Sequence, residues 1–199
     1  MWEYELEAVQ AGLTPVCGCD EAGAGPLAGR VYAAAVILPL GADISGLNDS
    51  KQLTEKKREA LFPVIRERAE AWAVAWVEAE EIDQTDILSA RMKAMQLAID
   101  ALDTKPAYAL IDGNRDKGRC AAIETCHCCI VKGDCLSASI AAASILAKVS
   151  RDRYMAEMAA IYPQYEFERH KGYGTKRHYE LLRQYGPSPI HRRTFLKNL

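Results

Sequence analysis

The sequence predicts an α/β domain built on a mixed sheet flanked by helices. Apolar runs of strand length alternate with segments of helical periodicity, which is the pattern of an α/β layer architecture. The first two strand-like runs are separated only by a glycine-rich turn, too short for a crossover helix, so they are expected to form a hairpin rather than a parallel pair. With 49% hydrophobic and 26% charged residues, the 199-residue chain has the composition of an ordinary soluble domain, large enough for a substantial core without staples.

Residues 16–20 and 29–38 read as largely buried strands, the second stopped by Pro39 and Gly41. A helix is predicted over 54–69, opening at Thr54 as N-cap, and a third strand over Ala71 to Val77. Ile87, Leu88, Met92, Met95, Ile99 and Leu102 recur at near-helical spacing within 85–102, and Pro106 stops that segment. A short buried strand from Ala107 to Ile111 ends at Asp112, and another is expected around Cys128 to Val131. A long helix follows from about Cys135 to Met158, then a loop beyond Pro163, a helix near 175–185 and a tail containing Pro and Gly. The expected division is a catalytic domain over 1–160 and a helical extension over 161–199 that packs on it and contributes to substrate binding.

The N-terminus is acidic where a secretory signal requires positive charge, and no apolar run approaches membrane-spanning length. The expectation is a cytoplasmic protein with no membrane partner, taken as a monomer. Seven cysteines, four of them crowded between Cys120 and Cys129, make a poor disulfide framework and fit reduced thiols. Cys126-His127-Cys128-Cys129 lacks zinc-site spacing, because adjacent strand residues face opposite ways and no second Cys/His pair follows. The net charge of −2 gives no global attraction to nucleic acid. It is unevenly spread, with eleven Lys and Arg against five Asp and Glu from Lys148 onward.

Four acids stand at strand ends. Asp20 and Glu21 close one apolar run, Asp112 closes another, and Asp134 lies where a strand gives way to a helix. Any one of them alone is an ordinary cap or turn residue. Converging, they would repel unless protonated or compensated by a cation, and an oxygen-only set selects a hard ion such as Mg²⁺ or Mn²⁺. A pair of such ions supports hydrolysis of a phosphodiester. On the helix after Asp134, Ser137, Ser144, Lys148 and Arg151 fall on one stripe, which suits either a nucleic-acid backbone or a solvated helix face.

The string Cys19-Asp-Glu-Ala-Gly-Ala-Gly-Pro-Leu-Ala-Gly29 resembles the opening motif of the ribonuclease HII family, and further matches follow in that family's order. They are Asn48-Asp-Ser-Lys51, Leu110-Ile-Asp-Gly-Asn114, Lys132-Gly-Asp134, Ala141-Ala-Ala-Ser-Ile-Leu-Ala-Lys148, Arg151-Asp152, His170-Lys-Gly-Tyr-Gly-Thr175 and His191-Arg-Arg193. The resemblance implies a ribonuclease-H-like mixed sheet with a C-terminal helical extension. It also implies Asp20, Glu21, Asp112 and Asp134 as catalytic metal ligands for two Mg²⁺ or Mn²⁺ ions. The implied substrates are RNA/DNA hybrids and DNA containing ribonucleotides, cut 5′ of the ribonucleotide to leave 3′-hydroxyl and 5′-phosphate ends.

By the same resemblance, backbone groups of Gly23, Ala24 and Gly25 read the ribose 2′-hydroxyl beside Tyr173. Glycine permits that close backbone approach. Lys51, after the Asn-Asp-Ser turn, and Ser144 and Lys148 on the helix stripe are further candidates for contact with phosphate. Ala24 stands where the family usually has arginine, which puts a side-chain grip on phosphate in doubt but spares the backbone. Arg30 replaces an expected proline and Asp86 a usual asparagine. The competing expectation is a hybrid-binding protein with weak catalysis, and Ala24 is the feature in its favour. His170, His178 and His191 are expected to be structural.

Overall fold

The structure, a computed structural model, describes residues 1–47 and 50–197. Its centre is a five-stranded mixed sheet of β1 (Val16–Ala22), β2 (Val31–Ile37), β3 (Ala71–Val77), β4 (Tyr108–Asp112) and β5 (His127–Ile130), in the order β3-β2-β1-β4-β5. The pairs β1–β2 and β2–β3 are antiparallel, as the hairpin reading requires, and β1–β4 and β4–β5 are parallel. The order reverses at β1, so the carboxyl ends of β1 and β4 lie side by side at a topological switch point, where open sheets form crevices.

Every residue of β2 is buried, because helices cover both faces of the sheet. Side chains alternate between those faces. Cys17 and Cys19 of β1 join Ala33, Ala35 and Ile37 of β2 in one apolar cluster with Met92, Met95 and Ile99 of α4 (Ile87–Asp100). On the other face, Ala34 and Val36 pack with Phe62 and Ile65 of α2 (Glu55–Arg68) and with Ala142, Ala143 and Leu146 of the long α6 (Ala138–Ile161). Alanine and glycine let α6 lie close to the sheet. A Cβ on Gly18 would run into the backbone of Ser139 and Ile140, so β1 carries glycine where α6 crosses it.

Most strand and helix expectations hold to within a few residues. Thr54 caps α2, its hydroxyl accepting from Lys57 N–H at 3.3 Å. Asp86, in place of asparagine, caps α4 by accepting from Ser89 N–H at 2.9 Å. Four short or terminal helices were not predicted: α1 (Glu3–Gln10), α3 (Ala79–Gln84), α5 (Gly133–Leu136) and α7 (Phe167–His170), the last in the expected loop beyond Pro163. The predicted helix from Cys135 is therefore two, with Ser137 as the N-cap of α6. Glu5 on α1 fixes that cap, accepting from Ser137 Oγ at 2.6 Å and Ser139 N–H at 2.9 Å.

Beyond α6 come α7 (Phe167–His170), α8 (Lys176–Tyr185) and two turns of 3₁₀ helix. Tyr165, Phe167, Leu181 and Leu182 share an apolar cluster with Leu27, Ala28 and Tyr32, so the C-terminal segment packs directly on the turn between β1 and β2. All seven cysteines are free thiols. Among the described residues no helix is long and apolar enough to cross a membrane.

Candidate active site

The pleat of β1 decides where each acid points. Asp20 follows Gly18 on the face covered by α6, while Glu21 follows Cys19 on the face covered by α4. Asp112 ends β4 next to Asp20, since Cys19 pairs with Ile111. Asp134 enters from α5, its N–H donating to Asp112 Oδ1 at 3.3 Å. Asp20, Asp112 and Asp134 can each offer an oxygen within 4.8 Å of the others. Of the four predicted acids the structure thus gathers three. Glu21 lies against them but turns to Arg91 of α4, whose Nη2 donates to Glu21 Oε1 at 2.6 Å.

The cluster is short of positive charge. Burial holds the Asp20 carboxyl well above the ordinary carboxylate range, and the charges of Glu21 and Asp112 push it further. The Asp112 carboxyl is raised too, by burial and then by Asp134. Lys51 Nζ supplies one cation, 3.0 Å from Asp134 Oδ2. Three crowded oxygen donors, with Asp20 and Asp112 resisting ionisation, fit a hard divalent cation, whose charge would let those two ionise. Among the described residues no cysteine or histidine joins the group, which disfavours zinc.

Asp20, Glu21 and Asp112 open into a cleft of about 210 Å³ lined also by Gly23, Ala24, Gly25, Ser50, Lys51, Ser144, Lys148 and Tyr173. The predicted substrate-binding residues therefore come together around the acids. Gly23 has φ +94°, a left-handed backbone that disfavours other residues. The Tyr173 ring passes next to Gly25, 3.9 Å from where a Cβ there would sit. Ser144 is buried and shares a 2.6 Å hydrogen bond with Ser50. Lys148 donates to Asp152 at 2.6 Å. Asn48 and Asp49 of the Asn48–Lys51 motif lie outside the described residues, but Arg58 donates to the carbonyls of Ser50 and Leu53 and so holds the turn that carries Lys51.

The helix stripe is corrected. Ser137 and Arg151 are fully buried and face neither a nucleic-acid backbone nor solvent. Arg151 donates instead to the carbonyls of Ala28, Arg30 and Lys171, tying α6 to the loop after β1. Arg30 pairs with Glu78 at 2.7 Å and lies over the Trp76 and Tyr154 rings, so it braces the sheet edge. His170, His178 and His191 are buried and hydrogen-bonded, as expected of structural histidines. Arg58 and Arg91 had no sequence signal, because a lone arginine on an otherwise ordinary segment does not announce its partner, and Arg192 was visible only as part of the His191-Arg-Arg193 motif, with no partner indicated.

Clustered carboxylates at the carboxyl edge of a mixed sheet, beside a cleft lined by glycine backbone and lysines, are the make-up of a candidate metal-dependent phosphodiesterase centre of the nuclease class. The family model for ribonuclease HII matches residues 17–198. The chain is 55% identical to a ribonuclease HII of Endomicrobium trichonymphae over 196 residues, 98% of this chain and 91% of that protein. It is 57% identical to one from Dechloromonas aromatica (strain RCB) over 180 residues, 90% of each. The fold matches the crystal structure of the ribonuclease H2 from Pyrococcus horikoshii OT3 with a TM-score of 0.74 and 28% identity, covering 90% of this chain and 92% of that one. The chain belongs to the ribonuclease HII family and is a nuclease.

Proposed function

We propose that this nuclease hydrolyses the RNA strand of RNA/DNA hybrids, including single ribonucleotides embedded in DNA, and cuts on the 5′ side of the ribonucleotide. The observation that carries the reading is a cluster of three carboxylates, two of which, Asp20 and Asp112, line one cleft with the Gly23–Gly25 loop and Tyr173. Asp20, Asp112 and Asp134 would hold Mg²⁺ or Mn²⁺, with Glu21 at the side of the site braced by Arg91. Two such ions supply, when bound, an activated water and stabilisation of the leaving oxygen.

The chain's own contribution is placement. The Gly23–Gly25 backbone would meet the 2′-hydroxyl, the one group that distinguishes a ribose, and Tyr173 would pack on the neighbouring sugar. Lys51 and Lys148 stand where the backbone phosphates would pass, and Ser144 steadies Asp20. Water oxygen then bonds to phosphorus as the bond to the upstream O3′ breaks, leaving a 3′-hydroxyl and a 5′-phosphate. The C-terminal residues 161–199 belong to this site through Tyr173.

Incubating the protein with a labelled hybrid in Mg²⁺, in Mn²⁺ and in EDTA tests the proposal. Cutting in at least one metal and none in EDTA is expected. Retention of the hybrid without cutting in either metal would make the chain a binding protein instead.

A further inference from the structure

The loop Gly23–Gly25 is held from beneath by a residue that the function above does not use. Arg192 is fully buried, and no carboxylate among the described residues lies within ion-pair distance of it. Its guanidinium donates to main-chain carbonyls instead: Nη2 to Gly23 at 2.6 Å, Nη1 to Ala24 and Pro26 at 2.9 Å each, and Nε to Gly29 at 3.0 Å. The loop is tied further by Leu27 N–H to Gly172 O and by Arg192 N–H to Leu27 O, both at 2.8 Å.

Peptide geometry then fixes the other side of the loop. In a trans peptide the C=O and the following N–H point in opposite directions. The peptides joining Gly23, Ala24 and Gly25 are trans. With the Gly23 and Ala24 carbonyls drawn onto the buried Arg192, the N–H groups of Ala24 and Gly25 must point away from it, on the side of the cleft that these residues line. Among the described residues neither N–H meets an acceptor. Two adjacent unpaired donors beside the acid cluster make a site for an incoming oxygen.

The preceding residue extends the same hold to Tyr173. Ser188 donates to His191 Nδ1 from its N–H at 2.9 Å and its hydroxyl at 2.7 Å. His191 therefore carries its proton on Nε2, which donates to His178 Nε2 at 2.9 Å, and His178 Nδ1–H donates to Tyr173 O at 2.9 Å. Consecutive residues, His191 and Arg192, thus set the tyrosine and the loop on either side of the cleft.

We infer that Arg192 is a positioning residue for ribose recognition, which presents the Ala24 and Gly25 N–H groups as a paired donor site for the 2′-hydroxyl oxygen of the ribonucleotide. The inference rests on the proposed reading of the cleft as a ribonucleotide site. It also accounts for the alanine at position 24, since the donors belong to the backbone and the loop takes its shape from Arg192.

The test compares binding of a short DNA duplex carrying one ribonucleotide with binding of the same duplex in all-deoxy form. Fluorescence anisotropy in Mg²⁺ on the Asp134→Asn background, where cutting is not expected, gives the two affinities. That background should prefer the ribonucleotide duplex, and equal binding would remove the ribose-reading role of the cleft itself. Given that preference, Arg192→Met should reduce it by about tenfold while leaving affinity for the all-deoxy duplex unchanged, and Arg192→Lys should restore part of it. Should the Arg192 variants fail to fold, replacing Ala24 by its α-hydroxy acid removes one donor alone and should reduce the preference in the same way. An undiminished preference in a folded Arg192→Met, or in the Ala24 ester, overturns the inference.

Discussion

Asp20 shows at the residue scale what the site demands of its own acids. Its carboxyl is buried, with Asp112 and Glu21 close enough to resist its ionisation, and only hydrogen bonds from Ser144 and Glu21 N–H work the other way. Such a group favours function over stability. Asp20→Asn keeps the shape and removes the repulsion, so the metal-free variant should melt several degrees higher than the parent, an effect of roughly 1–3 kcal/mol. Its cleavage rate should fall by more than about a hundredfold. Thermal melts in EDTA and a cleavage assay check both, and a lower melting temperature with intact secondary structure would contradict the electrostatic account. The four acids were visible in sequence because each stands at or just beyond the end of an apolar run. Their unequal placement follows from the rule used against the Cys128-Cys129 pair, since adjacent strand residues face opposite ways. Applied to Asp20-Glu21, it separates Asp20 from Glu21 at once, but it cannot name Arg91 as the partner of Glu21.

At the scale of elements, the seam between β1 and α6 sets the distance between the acids. Gly18→Ala would press a methyl group against the backbone of Ser139 and Ile140, so a loss of about 1–3 kcal/mol is expected, with reduced cutting as α6 and Ser144 shift. Chemical denaturation measures it, and unchanged stability would mean that the seam is looser than described. The histidines of α7, α8 and the tail make a second prediction. Burial lowers the His178 ring to about 4, and burial together with a proton on His178 lowers the His191 ring to about 3. The folded protein therefore leaves unbound protons that the unfolded chain takes up as pH falls below about 6.5, the ordinary histidine value. This contribution to stability is full above that pH and is lost progressively toward pH 4, each unit of displacement being worth about 1.4 kcal/mol. NMR titration of the imidazoles should show both rings neutral down to about pH 5, and a midpoint near the ordinary value would contradict the relay. Strand and helix boundaries were legible wherever periodicity was strong, as in β3 and α4. The stripe on α6 was misread because a helix buried on nearly every side leaves no polar face, and Arg151 is satisfied by carbonyls that no sequence pattern reveals.

Over the whole molecule, the chain separates an acidic cluster on the sheet from a basic C-terminal third, which contributes Lys148 and Tyr173 to the cleft beside the acids. The C-terminal segment and α6 enclose the β1–β2 turn through a shared apolar cluster and through Arg192 and Arg151, so the Gly23–Gly25 loop is shaped by residues far from it in sequence. That long-range tie is the part of the site least legible beforehand, whereas the ordered motifs along the chain already indicated the family. A metal-binding centre of this kind should also link metal to stability. Mg²⁺ or Mn²⁺ should raise the melting temperature of the parent in proportion to the logarithm of excess metal, and should do so much less for Asp134→Asn. The most direct measurement maps the cut in a DNA duplex with one labelled ribonucleotide. The account predicts a single metal-dependent break immediately 5′ of the ribonucleotide, with a 3′-hydroxyl that a polymerase can extend. A break on its 3′ side, or a cyclic phosphate end, would mean that the 2′-hydroxyl had attacked rather than been read, and would contradict it.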